Sequence, residues 1–368
     1  MFNNILFYNS HIYFIHTSVF MSLFNKEPQS ICILRLSAVG DVCNALSVVQ
    51  AIQTHFPKTE ITWVVGKTEY GLLTGIPNIH FVVFDKKKGL HAFKEVHQAL
   101  KGKRFDALLN MQSSFRASLL SLFIKAKYKI GFNKERAREG QWLFTNKKIE
   151  RPSENHVLSG FIEFARLLGV PMETPHWNFY LPKEMKEDMS VYLMANKKNV
   201  LISPCSSKAE KDWTIEGYAA TIQALHQCGA HILLAGSPSE RERLCAQKIE
   251  QQCQVPVINL VGKTSLRELA ALIAQVDLVI APDSGPVHIA NALDTTVIGL
   301  YAYHNPTRTG PYLQLDNVIS VYEKHAAQEF KHSSTQNWAK KLSTPNLMQE
   351  ISPQSVINKA KELLFPDI

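Results

Sequence analysis

The stretch "LRLSAVGDV", Leu34 to Val42, decides how the chain is to be read. An apolar run, "ICILRL", enters a short loop and leaves it in a helix-period segment, "VCNALSVVQAIQTHF". Val42, Ala45, Leu46, Val49, Ile52 and Phe56 then fall on one stripe, the 3.6-residue period of a helix with one buried face. Strand, loop, helix is the opening of a nucleotide-binding unit, yet the loop holds one glycine where a dinucleotide fingerprint has three. Asp41 stands directly behind it, where a phosphate would otherwise meet the helix N-terminus. A carboxylate there repels phosphate, so this loop must face something else.

Working outward, the same alternation continues. "EITWVVG", "HFVVFD", "FDALLNM" and "YKIGF" read as strands, with "HAFKEVHQALKG" and "FRASLLSLFIKA" as helices between them. "HVLSGFIEFARLLG" closes this half, and "VPMETPHW" follows as a proline-bearing linker. The second half repeats the theme with strands "NVLISP", "HILLAG", "VINLVG", "LVIAP" and "TTVIGLYA", and helices starting near Thr214, Ser239, Ser265 and Pro286. Ser352 and Pro353 are placed as N-cap and first residue of a final helix. Strand–helix alternation at this spacing implies parallel sheets with right-handed crossovers. The expected architecture is α/β, two doubly wound domains facing across a cleft. Residues 1–29 form an extension, 30–175 the first domain, 176–350 the second, and 351–368 a helix packing back toward the first.

At 368 residues the chain is too long for one ordinary core, in keeping with two domains. A balance of 40 basic against 32 acidic residues gives +8, which suits an anionic substrate, a nucleic acid or an acidic membrane without choosing among them. The six cysteines are scattered, form no CxxC and read as small core residues, neither zinc ligands nor disulfides. The first 25 residues carry no charge. They lack the basic start and cleavage site of a signal peptide, and Asn9, Ser10, His11, His16 and Thr17 interrupt any membrane span. The segment reads as lying upstream of a start at Met21, and the protein as cytoplasmic.

Ligands in such sheets bind beyond the carboxyl ends of the strands, so chemistry is sought in the loops there. In "VIAPDSGPVHIANAL" a buried strand gives way to Asp283, Ser284 and Gly285 before a helix opens. Gly285 lets backbone approach a ligand, the free N–H groups of the turn suit a diphosphate, and His288 projects from the first helical turn. A plain capping turn is the competing reading. "SPCSSKAEKDW" offers the hydroxyls of Ser206 and Ser207 with the charges of Lys208 and Lys211. In "AGSPSERERL", Glu240 opens a helix where it can grip ribose hydroxyls or simply complement the dipole. Two "VGKT" tetrapeptides lack the P-loop's first glycine, Ile61 and Val257 standing there, so neither is a Walker motif.

"LRLSAVGDV", "SSKAEKDW", "AGSPSE" and "PDSGPVHIANAL", in this order, resemble the ADP-heptose:lipopolysaccharide heptosyltransferases of glycosyltransferase family 9. The likeness runs from Ile31 to the final helix, and "ARE" (Ala137–Glu139) with "NMQSSFR" is most similar to heptosyltransferase I. The resemblance implies the GT-B fold of two Rossmann-like domains, inversion at the sugar, and no obligatory metal or other cofactor. It implies Asp41 as general base, Ser206 and Ser207 as donors to the diphosphate and Lys211 as the phosphate-contacting lysine. Glu240 becomes the ribose-binding acid and Asp283 the sugar-contacting carboxylate, with Ser284, Gly285 and His288 in the same donor turn. Thr264 falls where an adenine-flanking residue lies. Arg138, in the "ARE" element, and Arg116, after "MQSSF", are the acceptor-binding candidates. The implied substrates are ADP-heptose and Kdo-lipid A, at the inner face of the inner membrane, with no nucleic acid. A transferase adding a later heptose or another sugar, a sugar-nucleotide epimerase, and a two-domain sugar-binding protein stand as alternatives.

Overall fold

The computed structural model describes residues 22–331 and 339–366. The reading of Met1–Phe20 and of a start at Met21 lies outside them. From Ser22 the chain is tied down: Leu23 N–H donates to Leu167 O at 2.9 Å and the Ser22 hydroxyl to Leu168 O at 2.9 Å.

Among the described residues twelve strands form two sheets. The first holds β1 (Ser30–Leu34), β2 (Glu60–Gly66), β3 (Ile79–Phe84), β4 (Phe105–Asn110), β5 (Ala126–Gly131) and β6 (Lys147–Lys148), in the order β3-β2-β1-β4-β5-β6. The second holds β7 (Asn199–Ile202), β8 (His231–Leu234), β9 (Ile258–Asn259), β10 (Leu278–Pro282), β11 (Val297–Tyr301) and β12 (Val318–Ser320), in the order β12-β11-β10-β7-β8-β9. Pairing is parallel throughout; Ile31, for example, lies opposite both Ile61 and Ala107. Both sheets reverse strand order once, between β1 and β4 and between β7 and β10, and ligands of open parallel sheets lodge at such reversals.

Alternation along the strands explains the layering. Ile31 and Ile33 join one core and Cys32 and Leu34 another, on opposite faces of the first sheet. The core under Ile31 also takes in Leu201, Val279 and Ala281 of the second sheet, so one apolar seam runs through both halves. It passes through the helices Val39–His55 and Gly285–Ala292, whose Val42, Ala45, Val287 and Ala290 are fully buried.

Two expectations are corrected. The chain does not leave the first half at 175: Trp177 Nε1 donates to Cys43 O at 2.8 Å, and Asn178 N–H to Gln50 Oε1 at 2.9 Å. The final helix, Pro353–Leu364, packs on the second half, not the first. Its Val356, Ala360 and Leu364 join the outer core of the second sheet, against the helix Ile215–Gln227, and Trp213 Nε1 donates to Ile351 O at 3.1 Å. An apolar stripe binds whichever sheet face lacks a cover, and here that face is its own half's. The strands β6 and β12 had no signal in the sequence, because two lysines and a half-buried "VIS" carry no apolar period. All six cysteines are free thiols.

Candidate active site

The loop after β1 is built around a buried arginine. Arg35 sends Nη1 to Met111 O at 2.6 Å, lies 5.3 Å from the Phe161 ring centroid, and pairs through Nη2 with the Asp41 carboxylate. Gln112 Oε1 accepts from Leu36 N–H at 2.7 Å, which joins this loop to the one after β4, across the strand reversal. Asp41 sits in the first turn of the helix Val39–His55 with a third of its side chain open to solvent.

Across from it stands the turn after β10. The Asp283 carboxylate accepts from Lys211 Nζ at 2.8 Å and meets His304 Nδ1 at 2.7 Å, while Lys211 also donates to Asp283 O at 3.1 Å. Burial alone would raise the Asp283 pKa; the His304 hydrogen bond and the Lys211 charge outweigh it and hold the carboxyl well below the usual range. His288, buried in the first turn of Gly285–Ala292, is held toward its neutral form by burial, with Asp283 and Asp41 opposing only in part. Its ring lies against Gly40, where an added Cβ would be 2.2 Å from Cδ2. Gly285 in turn faces Val39. The two helix N-termini therefore meet head to head, with Asp41 on one and the Asp283 turn on the other.

The loop after β7 is braced from within. Ser206 N–H donates to Asp212 Oδ1 at 2.6 Å, and Arg241 bonds both the Asp212 carboxylate and Ser206 O. The Ser206 hydroxyl donates to Lys208 O at 2.7 Å, so it closes the loop, while Ser207 is exposed. Glu240 is exposed at the start of the helix Glu240–Cys253, which Ser239 caps. The hydroxyls of Thr264 and Ser284 are buried and have no partner among the described residues.

The profile of glycosyltransferase family 9 (heptosyltransferase) matches residues 93–339. A lipopolysaccharide core heptosyltransferase, OpsX of Haemophilus influenzae, is 54% identical over 344 residues, 93% of this chain and 99% of that protein. The chain belongs to glycosyltransferase family 9. It is a glycosyltransferase. Lipopolysaccharide heptosyltransferase 3 of Escherichia coli K12 is 24% identical over 77% of this chain and 85% of its own. Two solved structures share the GT-B fold: family 9 protein of Veillonella parvula (TM-score 0.75, 22% identity, 92% of this chain and 98% of that one), and E. coli ADP-heptose lipopolysaccharide heptosyltransferase II (0.67, 20%, 92% and 99%).

Within this family 9 fold, Asp41, Lys211, Asp283, Ser284, Gly285 and His288 gather where the halves meet, and Ser207, Glu240 and Thr264 lie at or just after strand ends of the second half. Arg116 and Arg138 are exposed on the first half. Arg116 lines a cavity of about 250 Å³ beside the Asp41 loop with Ser37, Lys67, Lys86 and Lys87, and with Glu69 and Asp85, the last paired with Lys67 at 3.0 Å. The sequence does not single out these lysines: Lys67 stands in a "VGKT" that is no Walker motif, and "DKKKG" carries no motif. Nor does any motif mark the loop after β11. His304 of that loop holds Asp283, and Gly310 O bonds His156 Nε2 of the first half at 3.0 Å. Arg308, between these two anchors, is lowered in pKa first by burial, with Asp41, Arg138 and Asp283 its charged neighbours. The rule that strand ends carry chemistry would have found this loop. One tie between halves had no local signal at all. Arg267, a buried residue of the helix Leu266–Ile273, bonds the carbonyls of Leu72, Thr74, Phe179 and Tyr180.

Among the described residues no helix is long and apolar enough to cross a membrane, and no cluster of three or more His, Cys, Asp or Glu could hold a metal.

Proposed function

We propose that this heptosyltransferase acts in lipopolysaccharide core assembly, moving heptose from ADP-heptose to a Kdo residue with inversion. The observation that carries the reading is the head-to-head meeting of the two helix N-termini. It sets Asp41 opposite the Asp283 turn, whose carboxylate is paired with Lys211 and bonded to His304. An acceptor hydroxyl attacks the anomeric carbon, the bond to the β-phosphate breaks, and ADP leaves with its electron pair. The hydroxyl proton passes to Asp41. A carboxylate is a weak base, so the proton moves late, after most of the leaving bond has gone.

Lys211 supplies positive charge to the diphosphate as it departs, a contribution below the roughly 4 kcal/mol of an unpaired charge at 4 Å and an effective dielectric near 20, because Asp283 already shares that charge. Ser207 and the unpartnered hydroxyls of Thr264 and Ser284 bind the donor, with Glu240 on the ribose; Arg116 and Arg138 take the acidic acceptor. In this reading the reaction needs no metal and takes place at the cytoplasmic face of the inner membrane. Mass spectrometry of products from ADP-heptose and Kdo-lipid A tests it. A product one heptose heavier than the acceptor is expected. An unchanged Kdo-lipid A beside a modified heptosylated core would move the enzyme to a later step.

A further inference from the structure

The first half carries an apolar surface that the site does not use. Phe115 (54% exposed) opens the short helix Phe115–Leu120, and Leu122 (58%) and Phe123 lie in the turn that follows it. The turn Gln141–Phe144 packs beside this helix: Glu139 Oε2 accepts from Phe115 N–H at 2.6 Å, and Gln141 is buried on the carbonyls of Asn110 and Gln112. Its inward glutamine leaves Trp142 (54%) and Leu143 (77%) facing out. Phe123 packs edge-on against Phe93 and His97; Phe115, Leu122, Trp142 and Leu143, all more than half exposed, lie on adjoining elements of one region and are more than scattered exposure.

The surroundings say what covers it. Lys125, Lys127, Lys147 and Lys148 are exposed on or beside β5 and β6, and Arg116 follows Phe115. From Ser121 to Glu150 there are eight lysines and arginines against three glutamates, and the backbone N–H of Phe115 already engages Glu139. An average protein surface, with both signs interspersed, matches neither the basic rim nor the apolar centre in particular. An anionic bilayer satisfies both features, taking Trp and Leu into the headgroup boundary while the lysines face its phosphates. Trp favours that depth because its ring is apolar and its N–H polar.

We propose that this patch is an interfacial membrane-docking surface for anionic lipid, with Trp142 and Leu143 as its wedge. It lies beside Arg116, so a lipid-linked acceptor would reach the cleft without leaving the bilayer; only this last step rests on the proposed function.

The test is flotation of the full chain with vesicles rich in phosphatidylglycerol, against pure phosphatidylcholine. The parent is expected to float with the anionic vesicles only. Trp142→Ser with Leu143→Ser should lower the partition by about tenfold or more, and Lys125→Glu with Lys147→Glu by a similar factor that shrinks in high salt. Both pairs should transfer sugar to a soluble, delipidated acceptor at the parental rate, which shows that the fold is intact. Failure of the parent to float, or parental flotation by the serine pair, overturns the proposal. So does light scattering in which the serine pair turns a dimer into a monomer while flotation is unchanged. Absence of transfer to every acceptor, with flotation as expected, would refute the heptose reading and leave this one standing.

Discussion

Arg35 and Asp41, six residues apart, form an ion pair within a single strand–loop–helix unit. The arginine is buried, and the carboxylate in ion-pair contact with it is Asp41, with Glu69 a weaker attraction from farther away. The proposed base is thus also the counter-ion of a buried cation. Two losses should follow its removal.

Asp41→Asn keeps the shape and a hydrogen-bond acceptor for Arg35 but cannot take a proton. Turnover should fall by about 10²-fold or more while ADP affinity holds. Asp41→Ala should add a loss of stability, smaller than the roughly 3–5 kcal/mol of a fully buried pair because Asp41 is partly solvated. Steady-state rates and urea melts of both variants check this. A parental rate in Asp41→Asn would place the base elsewhere.

Lys211 and Asp283 share one buried pair, so their variants should not add. Lys211→Ala should lower kcat chiefly, and Asp283→Ala should weaken intact donor more than free ADP. A double-mutant cycle on kcat/KM should show a coupling of about 0.5–3 kcal/mol. Strict additivity would mean that the ion pair plays no part in catalysis.

Gly40 has no room for a side chain. Gly40→Ala forces a methyl into the buried His288 ring and should cost about 1–3 kcal/mol, with a matching fall in activity. Adding His288→Ala should restore part of the stability but not the rate, since it opens space and removes a donor-site group. Melting temperatures of the single and double variants decide the point.

His156 gives the fold an acid limit. Its Nδ1 accepts from Leu158 N–H at 3.0 Å, which leaves Nε2 as the donor to Gly310 O and admits no second proton. Burial above all holds its pKa down, to about 4. The folded state therefore refuses a proton that the unfolded chain accepts near 6.5. Stability is complete above that value and falls as pH drops toward 4, by up to about 1.4 kcal/mol per pH unit. His156→Gln should flatten the stability curve between pH 6.5 and 4, measured by chemical denaturation.

Arg138→Ala should raise the acceptor KM, on soluble acceptor as well as on lipid, and leave the donor KM nearly unchanged. An effect confined to lipid-embedded acceptor and abolished by salt would reduce Arg138 to membrane attraction.

What could be read from the sequence was what short-range pattern controls. The strand ending before Arg35, the helix carrying Asp41 and the Asp283–Gly285 turn are all set within a dozen residues, by period and by turn chemistry. His304 and Arg308 were legible in principle, since they follow a recognisable strand, but only the fold shows that His304 reaches Asp283. The lysines at 67, 86 and 87 come from two separate strand ends, and nothing local says that they line one cavity. The destination of the last helix was beyond reach for the same reason. Val356, Ala360 and Leu364 declare a buried face and are silent about what buries it.

Arg267 joins the halves through four main-chain oxygens and, among the described residues, no partner side chain. A carbonyl oxygen is common to every amino acid, so the joint reads the course of the chain and ignores its lettering. Leu72, Thr74, Phe179 and Tyr180 can drift to other residues that keep the same path without loosening it. Position 267 has no such latitude. One codon carries a constraint that its four partners do not share, and variation at those four sites is no guide to how firmly the two halves are fastened.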